Sequence, residues 1–194
     1  MGRLREANPP TRDKQRVEHA ADLPTIVARA AEGDVDALRT LFDRYGERVR
    51  RYVRLRLGRV QDAEDAVQDV FIAVWRGLPG FRYEHEGSFP GWLFGIARHV
   101  VGQHRRRSDR AQLVSIQEMP ESTMEFEGTV VSRRLLVAEL QRLPEAQREA
   151  VVLRFIVGLS LRETAAALGR SERAVTALQL RALDGLKRRI GGSR

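Results

Sequence analysis

Ser160 to Arg189 reads SLRETAAALGRSERAVTALQLRALDGLKRR, and this stretch decides the fold. Ser160 followed by Glu163 has the spacing of a capping box. The Ser hydroxyl accepts from the backbone N–H of residue 163, and the Glu carboxylate reaches back to the N–H of the cap. The spacing predicts a short helix from Leu161 to Leu168. Gly169 ends it, because glycine takes the left-handed conformation without a Cβ penalty. Ser171 is placed to cap a second, longer helix through Arg173, Val175, Leu178, Ala182 and Leu186. Two helices joined by a tight glycine-containing turn form a helix-turn-helix, and its second helix is the one that enters a DNA major groove. An ordinary αα-hairpin in a helical core has the same local signature, so the rest of the chain must separate the two.

With 194 residues, the chain has room for one large domain or two small ones. Its 34 Lys and Arg against 26 Asp and Glu leave a formal net charge of +8. That balance favours a polyanionic partner, nucleic acid before membrane. Cysteine is absent, which excludes disulfides, thiolate chemistry and Cys-based zinc sites. No apolar run is long enough to span a bilayer and the N-terminus has no apolar signal core, so a soluble intracellular protein without membrane insertion is expected. Hydrophobic residues reach 42% while aromatics are only 6%, and β-type alternation is almost missing. The expected fold class is all-α.

Residues 1–22 are polar and charged, with Asn8-Pro9-Pro10 early on. They read as a disordered basic tail. One helix is expected over Leu23 to Ala31 and a longer one over Val35 to Leu57. In the second, Leu38, Leu41, Phe42, Tyr45, Val49, Tyr52 and Val53 form an apolar stripe. Its other face carries Arg44, Arg48, Arg50, Arg51 and Arg54, which reads either as a solvated face or as a neighbour of DNA phosphates. Asp62 can cap the next helix, DAEDAVQDVFIAVWRG, with Ala63, Ala66, Val67, Val70, Phe71 and Val74 inward. Its opposite face holds Asp65, Gln68, Asp69, Ile72 and Arg76. An acidic face with an apolar residue in its middle fits docking to a basic partner helix; a dipole-stabilising cluster with one stray Ile fits it too.

Leu78 to Phe89 reads as a loop in which Phe81, Arg82 and Tyr83 pair exposed rings with a cation, the combination that single-stranded bases need. His85 between Glu84 and Glu86 is discounted as a metal site, since adjacent loop residues rarely converge on one ion. Pro90 favours a helix start. The helix Gly91 to Arg107 buries Leu93, Ile96, Ala97 and Val100 and ends in His104, Arg105, Arg106 and Arg107. Cations suit a helix C-terminus, but three consecutive Arg exceed what the dipole needs and favour phosphate contacts. From Ser108 to Thr129 periodicity is lost, Pro120 interrupts, and Glu118, Glu121, Glu125 and Glu127 make an acidic linker. A second domain then covers 130–194. Leu135, Leu136, Leu140 and Leu143 suggest one helix. Pro144 opens the next, with Val151, Val152, Phe155 and Ile156 inward.

Two stretches together resemble the extracytoplasmic-function sigma factors of bacteria. DAEDAVQDVFIAVWRG followed by GWLFGIARHVVGQHRR resembles their polymerase-binding and minus-ten-reading domain, placed here at 23–107. LQRLPEAQREAVVLRFIVGLSLRETAAALGRSERAVTALQLRAL resembles the domain that reads the minus-thirty-five element. The resemblance implies two small helical domains on a flexible linker, with no cofactor, metal or catalytic residue. It implies core RNA polymerase as partner, through the β′ clamp helices and the β flap, with promoter DNA and an anti-sigma protein as the others, in the cytoplasm at the nucleoid. Asp65, Gln68, Asp69 and Ile72 would grip the clamp helices. Phe81, Arg82, Tyr83 and Ser88 would capture a base flipped from the melted minus-ten strand, and His104 to Arg107 would hold the surrounding DNA. Arg170, Ser171, Arg173, Thr176, Gln179 and Arg181 would face the minus-thirty-five element. Thr176 stands where many relatives carry Lys or Arg, which implies weaker or altered binding there.

Three other readings compete: a regulator that binds the duplex without polymerase, an enzyme such as a recombinase, and a sigma mimic that sequesters a partner. The enzyme would need a nucleophile, a metal set or paired carboxylates in a cleft. The Asp residues of the docking helix are expected on an exposed face instead. The basic charge disfavours the mimic.

Overall fold

A computed structural model describes residues 22–57, 60–108, 123–126 and 129–191. Residues 1–21 of the expected tail and most of the linker therefore lie outside the described residues. The helices are α1 (Leu23–Ala31), α2 (Val35–Leu57), α3 (Val60–Gly77), α4 (Ser88–Ser108), α5 (Arg133–Gln141), α6 (Glu145–Val151), α7 (Leu161–Leu168) and α8 (Glu172–Gly191). A 3-10 turn at Leu78–Gly80 follows α3, and a π-turn at Val152–Ile156 extends α6. The class is all-α in two helical modules. One short hairpin, β1 (Thr123–Phe126) with β2 (Thr129–Ser132), stands where the sequence reads as aperiodic linker. Its strands, TMEF and TVVS, are rich in the β-branched and aromatic types that suit a pleated surface.

Local signals explain the helix starts. Asp34 Oδ1 accepts from the N–H groups of Asp36 and Ala37 at 2.9 and 3.1 Å and caps α2. Helix α4 begins at Ser88 rather than Gly91. Pro90 sits in its first turn, where a missing N–H removes no intrahelical bond. In the π-turn, the Val157 N–H donates to the Val152 carbonyl at 2.9 Å, five residues back. The wider turn rotates the side chains around it. Phe155, expected inward, is 57% exposed as a result.

The first module packs the apolar stripe of α2 (Leu41, Tyr45, Val49, Tyr52, Val53) against Ala63, Ala66, Val67, Val70 and Val74 of α3 and Leu93, Phe94, Ala97 and Val101 of α4. The second has a small core of Leu136, Leu140, Leu143, Val151, Ala182, Leu186 and Ile190. The larger core does not stop at the module boundary. It continues through Val152, Leu153, Val157, Leu159, Ala165, Ala167, Leu168 and Val175 of the second module. The modules meet along α4 and α7. A Cβ at Gly91 would lie 2.6 Å from the Ala166 Cβ, so glycine is what allows this approach.

Candidate nucleic-acid and partner interfaces

The helix-turn-helix is built as its spacing dictates. Ser160 Oγ accepts from the Glu163 N–H at 3.1 Å, and the Ser160 N–H donates to Glu163 Oε2 at 2.6 Å. Gly169 takes φ 61°. Ser171 Oγ accepts from the Ala174 N–H at 3.2 Å and caps α8. Arg170, Ser171, Arg173, Thr176 and Arg181 are exposed along the leading turns. Gln179 is not. It is 9% exposed, and its Nε2 has no hydrogen-bond partner among the described residues. It falls on the inward stripe Val175, Gln179, Ala182, Leu186, whose helical spacing turns it toward the core.

On α3, Asp65, Gln68, Asp69 and Ile72 share one exposed face. Asp69 Oδ2 lies 2.8 Å from His104 Nε2, which ties this face to the end of α4. The face runs into an open groove of about 520 Å³ between α2 and α3, lined chiefly by Val35, Leu38, Phe42, Phe71, Ile72 and Trp75. Phe42 and Phe71 pack with their rings tilted by 55° and centroids 4.6 Å apart. Trp75 remains 59% exposed and Ile72 42%.

The loop before α4 is folded back on itself. Phe81 packs against Trp92 at 4.7 Å, Phe89 at 5.7 Å and Tyr83 at 6.5 Å between centroids. Both loop rings are half-buried, and only Arg82 of the expected trio is fully presented. Ser88 Oγ accepts from the N–H groups of Glu84 and His85 and donates to the His85 carbonyl at 2.6 Å, so it closes the loop. His85 Nδ1 accepts from the Gly87 N–H at 3.1 Å, which gives this histidine a local role in the turn. At the end of α4, Arg106 and Arg107 are exposed while His104 and Arg105 are half-buried.

What occupies Arg105 is the seam between the modules. Its Nη1 lies 3.1 Å from Glu145 Oε1. Arg56 Nη2 lies 2.8 Å from both Glu145 and Glu149. The side chains of Arg56 and Glu149 are 4% and 3% exposed. The Tyr52 hydroxyl donates to Glu149 Oε2 at 2.9 Å. Burial pushes the Tyr52 phenol well above its ordinary value, and the Glu149 carboxylate adds to the shift. Burial works against the charge on Arg56, but Glu149, Tyr52 and Glu145 outweigh it and raise the guanidinium. Burial likewise opposes the charge on Glu145, yet Arg56, Arg105 and Arg148 hold its carboxyl below the usual range. Two more arginines cross the seam. Arg48 donates to the carbonyls of Val157 and Gly158 at 3.1 Å, and Arg51 to that of Ile156 at 3.3 Å.

Residues 41–111 match the Sigma-70 region 2 family, and residues 133–186 match Sigma-70 region 4. The chain is 38% identical over 181 residues to the ECF RNA polymerase sigma factor SigD of Mycobacterium tuberculosis, covering 87% of this chain and 84% of that protein. This chain belongs to the extracytoplasmic-function sigma factors. It is also 33% identical over 175 residues to the sigma factor BldN of Streptomyces coelicolor, where it covers 87% of this chain and 66% of that protein. Among solved structures, CnrH in complex with the cytosolic domain of CnrY superposes with a TM-score of 0.68 at 29% identity, over 88% of this chain and 97% of that one. RpoE of Bartonella quintana, in complex with the anti-sigma factor NepR, shows the same fold at 22% identity, with a TM-score of 0.61 over 82% of this chain and 100% of that one. The sigma factor binds core RNA polymerase and directs it to promoter DNA. No helix among its described residues is long and apolar enough to cross a membrane.

Some residues of these surfaces escaped sequence reasoning. Trp75 continues the face of Asp65, Gln68, Asp69 and Ile72 by one more turn, a spacing that could have revealed it. Phe42 reads as core in the stripe of α2, yet it stands 41% exposed in the groove. The seam carboxylates Glu145 and Glu149 carried no local signal, because their partners lie on α2 and α4.

Proposed function

We propose that this sigma factor docks on core polymerase through the exposed face of α3, where Asp65, Gln68, Asp69 and Ile72 meet the clamp helices of β′. The observation that carries the reading is that three polar acceptors and an exposed Ile line one face of a single helix. Such a face offers charge complementarity for orientation and an apolar anchor for residence. Arg82 and the cationic end of α4 serve the minus-ten element. Phe81 and Tyr83 serve it after the loop unfolds from Trp92, and Ser88 holds the loop in shape. Arg170, Ser171, Arg173, Thr176 and Arg181 serve the minus-thirty-five element, with the β flap behind this module. The working units are 23–107 and 130–194, linked by 108–129. The factor has no chemistry of its own and acts at the nucleoid in the cytoplasm.

An anti-sigma protein controls it in this reading. Support comes from CnrH and RpoE, both solved with proteins bound to them. The apolar groove beside α3 offers such a partner a site that overlaps the polymerase face. The test of the docking reading is a binding titration with core polymerase. Asp65→Lys with Asp69→Lys should abolish promoter-specific transcription while leaving the fold intact. Full transcription by that variant would refute the assignment.

A further inference from the structure

We infer that helix α8 reads the minus-thirty-five element through thymine methyl groups, with Leu180 and the methyl of Thr176 as the contacts. The inference rests on the assignment of the second module to that element, and it names the base chemistry this helix takes. Helical spacing sets Arg173, Thr176, Ala177 and Leu180 on one face, opposite the buried stripe of Val175, Ala182 and Leu186. Leu180 is 64% exposed. A single exposed Leu is ordinary on a protein surface. This one stands on the outer face of the helix that enters a major groove.

The polar groups beside Leu180 are spent on the helix itself. Thr176 Oγ1 donates to the Glu172 carbonyl at 3.0 Å, so its hydroxyl is engaged and its methyl is left for a partner. Arg181 Nε donates to the Ala177 carbonyl at 3.0 Å, which folds that side chain back along α8. A base edge that meets this strip finds hydrocarbon before hydrogen-bonding groups. In the major groove only thymine presents a methyl, so apolar contact there is specific for it among the four bases. At 1.5 Å of rise per residue, Leu180 lies about 6 Å beyond Thr176 along the helix axis. That is near the span of two base-pair steps of about 3.4 Å each, so the helix takes two thymines within about three base pairs. Arg170 and Arg173, exposed at the leading end, supply cations for the flanking phosphates. Their charge selects DNA over an apolar protein surface as what covers Leu180.

The test uses holoenzyme, made from the full chain and core polymerase, and a promoter duplex whose minus-thirty-five segment is randomised. Bound duplexes should be enriched in thymine, on either strand, at two positions within about three base pairs. Replacing a selected thymine by deoxyuridine removes only the methyl. It should weaken binding about fourfold per base, the worth of one buried methyl group. Leu180→Ala should bind the thymine and deoxyuridine duplexes alike at one position. Thr176→Ser, which keeps the hydroxyl, should do so at the other. Both side chains are exposed, so circular dichroism and thermal unfolding should not change. Selection of another base at these positions overturns the inference, and so does equal binding of thymine and deoxyuridine duplexes by the wild type. A Leu180→Ala protein that still tells the two apart overturns it as well. So does one that loses core polymerase instead, which would make Leu180 a protein contact. Failure of the module assignment takes the inference with it but looks different. The randomised segment would then be bound without preference for any base, and Arg173→Ala would bind as the wild type does.

Discussion

Two acidic clusters lie on helices of this molecule and do opposite things. Asp65 and Asp69 stand in solvent on α3, with one half-buried histidine beside them. Glu145 and Glu149 on α6 face three basic and phenolic side chains across the seam, Arg56, Arg105 and Tyr52, and Glu149 is sealed. The first pair is available to a partner outside the chain. The second has its partner inside it. Charge of the same sign on the same kind of element thus either stands open to solvent or is paired across a seam between modules. Burial, together with what the other module brings, decides which.

The strongest way to break this comparison is to unpair the sealed cluster. Arg56→Met should cost about 3–5 kcal/mol of stability, read by chemical denaturation, because Glu149 is left buried and charged. A loss under about 1 kcal/mol would mean that water reaches the site. Next comes the exposed cluster. Asp65→Lys with Asp69→Lys should weaken core-polymerase binding by about 100-fold through like-charge repulsion. The same change should alter stability by no more than about 0.5 kcal/mol per site.

A pH titration sharpens the contrast. Glu145 has a folded pKa below its ordinary value, so its contribution is fully present above the ordinary carboxylate range and is lost as pH falls through the lowered value. Stability should therefore hold at neutral pH and fall in acid, read by chemical denaturation. Glu145→Gln should remove that part of the pH dependence. The mildest effect lies on α8. Gln179→Met should leave promoter binding unchanged and stability equal or higher by up to about 1 kcal/mol, since it replaces a buried amide whose nitrogen has no hydrogen-bond partner among the described residues. Arg173→Ala should instead weaken binding of the minus-thirty-five element.

The helices were legible because caps and periodicity are local. Ser160 with Glu163, Gly169 and the stripe of α2 each act within a few residues, and α1, α2 and α7 have the expected bounds. The exposed face of α3 was legible for the same reason, since Asp65, Gln68, Asp69 and Ile72 share a face by spacing alone. The arginine face of α2 was not. Arg50 and Arg54 pair with Glu47 and Glu64 inside their own module, while Arg48 and Arg51 bind carbonyls more than 100 residues away. A row of cations in a sequence carries no address for its partners. Gln179 was misplaced for a different reason: its amide suits adenine, but Val175, Ala182 and Leu186 already fix that face as the inner one.

The division of labour between the two clusters is tested most directly by one paired titration. Core polymerase and chemical denaturant are each added to the wild type, to Asp65→Lys with Asp69→Lys, and to Arg56→Met. The α3 variant should lose polymerase and keep its stability, while Arg56→Met should lose stability. If the α3 variant binds polymerase as the wild type does, or Arg56→Met stays as stable as the wild type, the account is contradicted.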